Sequence, residues 1–311
     1  MGFLDFFKFR QNDYSKLLPE VRGRYEKNVL MSRYTWFGVG GPADVMFHPA
    51  DEDDLCFFMK MKPYNLPVCV LGGGSNLLVR DGGVPGVVVR LDSKYFKQTE
   101  LKGSELTCFA GFRNADLRKI MLENEVGGLE FLCSIPGMIG GSVKTNAGCF
   151  GRCVKDVIAR ATIVNGQGEK ETVTVDDLML SYRSSLFPDD WIITSITFRV
   201  AKDRKDNILR ILDEQKQYRL KNQPYKAKTA GSTFKNPEGL KAWELIKKAG
   251  CCGLRINDAR VSEKHCNFLI NEGKATAKDL EDLGEEIIAR VKKETSITLE
   301  WEVKRMGISK R

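Results

Sequence analysis

Histidine is nearly absent from this chain, with only His48 and His265 among 311 residues. Since there is also no Cys-x-x-Cys pair, and Cys149 and Cys153 are the nearest approach to one, a zinc site lacks a ligand set. Long apolar runs are missing as well, and residues 1–8 carry no signal-peptide pattern. A cytoplasmic protein without membrane insertion is therefore expected. The nine cysteines are odd in number and irregularly spaced, with Cys251 and Cys252 adjacent, which makes a poor disulfide framework. Most of them are expected to be small, reduced core residues. No block of one-signed charge occurs: the net charge of +8, from 49 basic and 41 acidic residues, is spread along the chain. The densest basic run, 202–228, reads partly as a helix with Ile208, Ile211 and Leu212 near helical spacing and Arg210, Lys216 and Arg219 on other faces. Without a nucleic-acid-binding signature beside it, that charge points to no nucleic-acid partner.

Glycine, by contrast, is clustered. Residues 134–148 hold Gly137, Gly140, Gly141 and Gly148 among Ser134, Ser142, Thr145 and Asn146. A second cluster, Gly72, Gly73, Gly74, Ser75 and Asn76, follows the apolar run 68–71. Glycine weakens element interiors, so such clusters imply a backbone requirement, and bare amides with short polar side chains suit an anionic group such as phosphate. Two loops of this kind could face one ligand. The dinucleotide pattern fails because Leu77 stands where its third glycine belongs, and the P-loop pattern fails because Val143 precedes Lys144-Thr145. Residue patterns alone stop at a phosphorylated cofactor of unknown class.

The length and the 42% hydrophobic content suit two or three domains. Asp51 reads as the cap of a short helix with Leu55, Phe58 and Met59 inward, and strands are expected at 68–71, 77–79 and 87–91. Residues 92–104 read as a polar loop. Beyond them a strand at 107–110, a helix at 115–123 and strands at 158–164, 172–175 and 191–200 make a mixed block, with Asn165-Gly166 as a hairpin signal. Helices at 207–220, around Trp243 and at 277–294 follow, with a strand at 265–270. The last strand would bury Ile297, Leu299, Trp301 and Val303 and leave Glu300 and Glu302 on the other face.

Taken together, segments 35–44, 71–79, 128–151, 182–187, 230–237, 250–262 with 267–271, and 299–303 resemble, in order, the MurB family, the flavin-dependent UDP-N-acetylenolpyruvoylglucosamine reductases. The resemblance implies an α+β fold: a two-part FAD-binding region of the PCMH-type flavoprotein superfamily plus a C-terminal α+β substrate-binding domain. The parts would be 1–92, rejoined by 297–311, then 93–205, and 206–296 for substrate. It implies non-covalent FAD, NADPH as co-substrate and a UDP-sugar substrate, in a monomer that makes peptidoglycan precursor. Gly72, Gly73, Gly74, Ser75, Asn76 and Leu77, with Ser134, Pro136, Gly137, Gly140, Gly141, Ser142, Asn146, Ala147 and Gly148, would surround the FAD.

By the same resemblance, hydride passes from the flavin N5 to the substrate. Arg183 stabilises the charge this leaves, Ser232 supplies the proton, and Glu302 is the third catalytic residue. Tyr182, Lys235, Asn236 and His265 would contact substrate. By residue type alone, Arg183 reads as a surface residue, Ser232 as a turn or cap, Glu302 as an exposed strand carboxylate and His265 equally as a core residue. The chain resembles the family's second type, which lacks a tyrosine-bearing insertion between the segments holding Arg183 and Ser232, and Tyr225 or Lys226 is the candidate replacement for that tyrosine. Cys133, Ser142 and Thr145 depart from the expected small or apolar residues. Another flavin oxidase or dehydrogenase of the same superfamily is the first alternative, and a non-catalytic basic binding protein the second.

Overall fold

The computed structural model describes residues 17–310; the start of the chain, 1–16, and residue 311 lie outside the described residues. The chain forms two compact units. One contains the residues through Asn28, Asp44–Gly73 and Pro85–Lys216, the other Val29–Ala43, Gly74–Val84 and the residues from Gln217 onward.

The first unit is built on a five-stranded antiparallel sheet in the order Lys170–Thr174, Ile158–Val164, Ile192–Arg199, Glu105–Phe109, Thr99–Lys102. Its middle strand is buried at every position except Arg199, and of its buried polar residues Thr194 and Thr197 bond through their hydroxyls to Glu52 and Thr107. The expected hairpin is present, with Val164 opposite Lys170. Its loop runs through Glu169, because the Asn165 side chain accepts the amides of Gln167 (3.0 Å) and Glu169 (2.9 Å). The helix Glu52–Met61 begins as predicted, with Asp51 accepting the Asp54 amide and Leu55, Phe58 and Met59 buried. Residues 92–104 correct the sequence reading: they include the strand Thr99–Lys102, an edge strand whose alternate exposure makes Thr-Glu-Leu-Lys look like loop. Phe47, Phe58, Leu117, Ile139, Val143 and Phe198 belong to one core that joins this sheet to the helices.

The second unit packs the helix Ala277–Thr295 and the short helix Ala242–Lys248 with the three-stranded sheet Arg255–Ile256, Ala259–Val261, Leu269–Asn271. The long helix starts in a capping box between Thr276 and Asp279 and buries Leu280, Leu283, Ile287 and Val291, the predicted stripe. The predicted final strand is corrected. Residues 297–303 keep the alternate burial, with Leu299 and Val303 inside and Glu300 exposed, but their one bridge is Trp301 to Phe234. Regular pairing starts at Lys304–Met306, which runs parallel to Leu77–Val79.

A second correction concerns the thiols: Cys252 and Cys266 form a disulfide. Cys251 is buried in the core, while its neighbour Cys252 is exposed and bonded to Cys266. Among the described residues, no helix is long and apolar enough to cross a membrane, and no group of three or more His, Cys, Asp or Glu is placed to hold a metal.

Candidate active site

In the first unit Gly72 and Gly73 meet the glycine stretch 134–148. A Cβ on Gly73 would lie 2.7 Å from the Cα of Gly137, and one on Gly72 would meet only the Cα of Gly141, at 4.0 Å. Gly141 itself is exposed, and a Cβ there would find nothing within 4 Å. Backbone thus faces backbone at Gly73 and Gly137, while Gly72 and Gly141 leave a bare surface that a ligand can approach.

The polar residues around this surface do other work. Ser142, buried, accepts from the Asn114 amide at 2.8 Å, and Asn114 also donates to the Ile135 carbonyl. Ser134 donates to the Phe131 carbonyl. Asn146, also buried, donates to the Ser181 carbonyl at 2.7 Å and accepts the Lys155 amide. The glycine stretch therefore carries the turn that presents Tyr182 and Arg183. Arg183 has φ +52°, a left-handed conformation that non-glycine residues seldom adopt, and its Nη2 donates to the Gly148 carbonyl at 2.6 Å. Its guanidinium lies 5.2 Å from the centre of the exposed Tyr182 ring. Pro136 and Ala147 fall within the same stretch, Ala147 buried.

The second unit brings Ser232 and Glu302 onto neighbouring backbone. Glu302 donates its amide to the Thr233 carbonyl at 2.8 Å, and Lys235 donates its amide to the Glu300 carbonyl at 2.8 Å. The Lys235 ammonium pairs with the Glu300 carboxylate at 3.3 Å. Asn267, buried, holds the other side of this strand: its side chain accepts the Phe234 amide at 3.0 Å and donates to the Phe234 carbonyl at 2.8 Å, while its backbone carbonyl accepts the Thr233 amide. Gly74 has φ +66°, where a Cβ would strike the Tyr34 carbonyl oxygen at 1.8 Å, so only glycine fits. Asn76 donates its side-chain amide to the Glu302 carbonyl, and Leu77 enters the pairing with Lys304–Met306.

The other two predicted substrate contacts, Asn236 and His265, also have structural partners. Asn236 accepts the Ala242 amide at the start of a helix. His265 is half-buried, packs edge-on against Phe268 and accepts the Asn267 amide on Nδ1, and burial lowers its pKa. Tyr225 is exposed, with the Lys226 ammonium 5.7 Å from its ring. Sequence reasoning missed Asn114 and the clamping role of Asn267. The one signal for Asn267 is an asparagine set beside an apolar run, where a buried amide must find partners, and nothing local marks Asn114.

Residues 43–174 match the family profile described as FAD binding domain, and residues 223–306 the one described as UDP-N-acetylenolpyruvoylglucosamine reductase, C-terminal domain. The curated UDP-N-acetylenolpyruvoylglucosamine reductase of Rhodospirillum rubrum is 47% identical over 296 residues, covering 94% of this chain and 92% of its own. Its counterpart from Parvibaculum lavamentivorans is 46% identical over 293 residues, 94% of each chain. The chain belongs to the UDP-N-acetylenolpyruvoylglucosamine reductase family. The crystal structure of the Thermus caldophilus reductase (MurB) matches with a TM-score of 0.80 at 35% identity, over 93% of this chain and 100% of that one. The family resemblance and the α+β FAD-binding fold expected from the sequence are both borne out. In this member of the reductase family, both glycine clusters fall within the FAD-binding match and Ser232, Lys235, Asn236, His265 and Glu302 within the C-terminal match. Tyr182 and Arg183 lie between the two.

Proposed function

We propose that this chain reduces UDP-N-acetylglucosamine enolpyruvate to UDP-N-acetylmuramate with NADPH, as a monomeric cytoplasmic enzyme of peptidoglycan precursor synthesis that binds neither nucleic acid nor membrane. The observation that carries this reading is the backbone pairing of 233–235 with 300–303, in which the carbonyl of Thr233, the residue after Ser232, accepts the Glu302 amide. FAD, when bound, supplies the hydride relay from NADPH to the terminal carbon of the enolpyruvyl ether. The bare backbone at Gly72 and Gly141 fits such a group, because no Cβ fills the space it would need. We assign FAD to 1–92, rejoined by 297–311, and to 93–205, and the substrate to 206–296.

Hydride arrival leaves negative charge on the adjacent carbon, shared with its carboxylate. A guanidinium held in place stabilises that charge bidentately, and we give this role to Arg183, whose Nη2 donates to the Gly148 carbonyl. Losing one such preorganised donor lowers turnover by about 10²–10³. Ser232 gives the proton that completes the C–H bond, and the strongly basic carbanion makes a weak hydroxyl acid sufficient. Glu302 is the third catalytic residue, and Tyr182, Lys235, Asn236 and His265 line the substrate. The test is NADPH oxidation by the purified yellow protein. It should require the enolpyruvyl sugar and give a product two hydrogens heavier; oxidation that is indifferent to that sugar would reject the proposal.

A further inference from the structure

We infer that Asn76 is a positioning residue for Glu302, acting on the carboxylate through its backbone; the inference rests on the role given to Glu302 above. The Asn76 Nδ2 donates to the Glu302 carbonyl at 3.2 Å, and the Asn76 carbonyl accepts the Lys304 amide at 3.0 Å. Asn76 thus brackets residues 302–304 from one side. From the other side the Thr233 carbonyl accepts the amides of Glu302 (2.8 Å) and Val303 (3.3 Å). The two polar groups at Glu302 are therefore held by different segments, its N–H by the strand that carries Ser232 and its C=O by Asn76.

The parallel pairing of Leu77 with Lys304 fixes the register directly beyond this point. The peptide between Glu302 and Val303 is held at both of its groups, its N–H by the Thr233 carbonyl (3.3 Å) and its C=O by the Asn76 amide (3.2 Å), and the Asn76 bond is the one that a side-chain substitution removes. Losing that bond leaves the backbone ladder and the Lys304 bond in place but lets the carboxyl drift. A misplacement of about 1 Å costs about 10²-fold in a reaction that depends on orientation. An amide is needed at this position. Aspartate has the same shape but, when ionised, no donor, whereas a protonated aspartate has one.

The test uses flavin-loaded Asn76→Asp and Asn76→Ala beside wild type and Glu302→Gln, with the two half-reactions followed separately by stopped flow. In both Asn76 variants reoxidation by the enolpyruvyl sugar should slow by about 10- to 100-fold, and by at least tenfold more than any slowing of flavin reduction by NADPH. Asn76→Asp should regain rate relative to wild type as pH falls from 7.5 toward 5 and its new carboxyl takes a proton, while Asn76→Ala should stay slow throughout. Because only flavin-loaded protein is scored, a misfolded fraction does not enter the rates. Weakened FAD with both half-reactions slowed together would make Asn76 a cofactor contact and overturn the inference, as would an Asn76→Asp variant with normal reoxidation. Normal reoxidation in Glu302→Gln would instead remove the role of Glu302 itself, and the inference with it.

Discussion

Substituting Gly141 by alanine separates the cofactor surface from the fold that carries it. Gly141 lies in the short helix Ile139–Lys144, exposed, and its new Cβ would meet no protein atom within 4 Å. In the protein freed of flavin the change should therefore be neutral or stabilising, by up to about 1 kcal/mol, because alanine is the better helix former. If FAD occupies that open space, the methyl overlaps it, and overpacking of this kind costs about 1–3 kcal/mol. At 1.4 kcal/mol per factor of ten, FAD binding weakens by roughly 5- to 100-fold. Gly73→Ala is the contrasting case. Its Cβ would be 2.7 Å from the Gly137 Cα, so backbone must move and the flavin-free protein itself should lose about 1–3 kcal/mol. Flavin-fluorescence titration and thermal unfolding of both flavin-free variants read the two effects. A Gly141→Ala protein that binds FAD within twofold of wild type would refute the reasoning, since the space would then belong to solvent.

Ser232→Ala should keep flavin reduction by NADPH and lose turnover of the enolpyruvyl sugar by about 10²–10⁴; unimpaired turnover would remove Ser232 from proton donation. Glu281 is held below its ordinary pKa of 4.5, chiefly by its hydrogen bonds from Arg80 and with help from Arg305. The unfolded chain therefore takes up this proton first as pH falls, so the stability contributed above pH 4.5 is lost on acidification through the lower folded value. Arg80→Gln should flatten that part of the urea-midpoint curve against pH, and parallel curves would contradict it. The Cys252–Cys266 bridge closes a loop between residues 14 apart, worth about 3 kcal/mol in the chain-entropy account. Oxidised protein in denaturant should titrate seven thiols before reduction and nine after, and should melt lower once reduced.

Elements whose sequence has one dominant period were readable before the structure. The helices Glu52–Met61 and Ala277–Thr295 carry both a cap and a clean apolar stripe, and every residue of each predicted stripe is buried. The edge strand Thr99–Lys102 was not readable, because half-exposed pairing leaves no apolar run. Residues 297–303 misled for a related reason: alternation records which side faces the core, not whether a neighbouring strand is paired, and here only Trp301 bridges. The disulfide was hidden because pairing depends on a fold that brings Cys266 to Cys252. At the site, glycine clustering announced the bare backbone, but nothing local marks Arg183, Ser232 or Glu302. Arg183 stands out only once its left-handed φ and its bond to Gly148 are seen, and Ser232 and Glu302 only once residues 233–235 pair with 300–303.

The most direct test is a single anaerobic turnover. NADPH should bleach the bound flavin, and UDP-N-acetylglucosamine enolpyruvate, added without oxygen, should restore its colour while one equivalent of UDP-N-acetylmuramate forms. A flavin that stays reduced after that addition and recovers only when oxygen is admitted would contradict the account and point to an oxidase of the same fold.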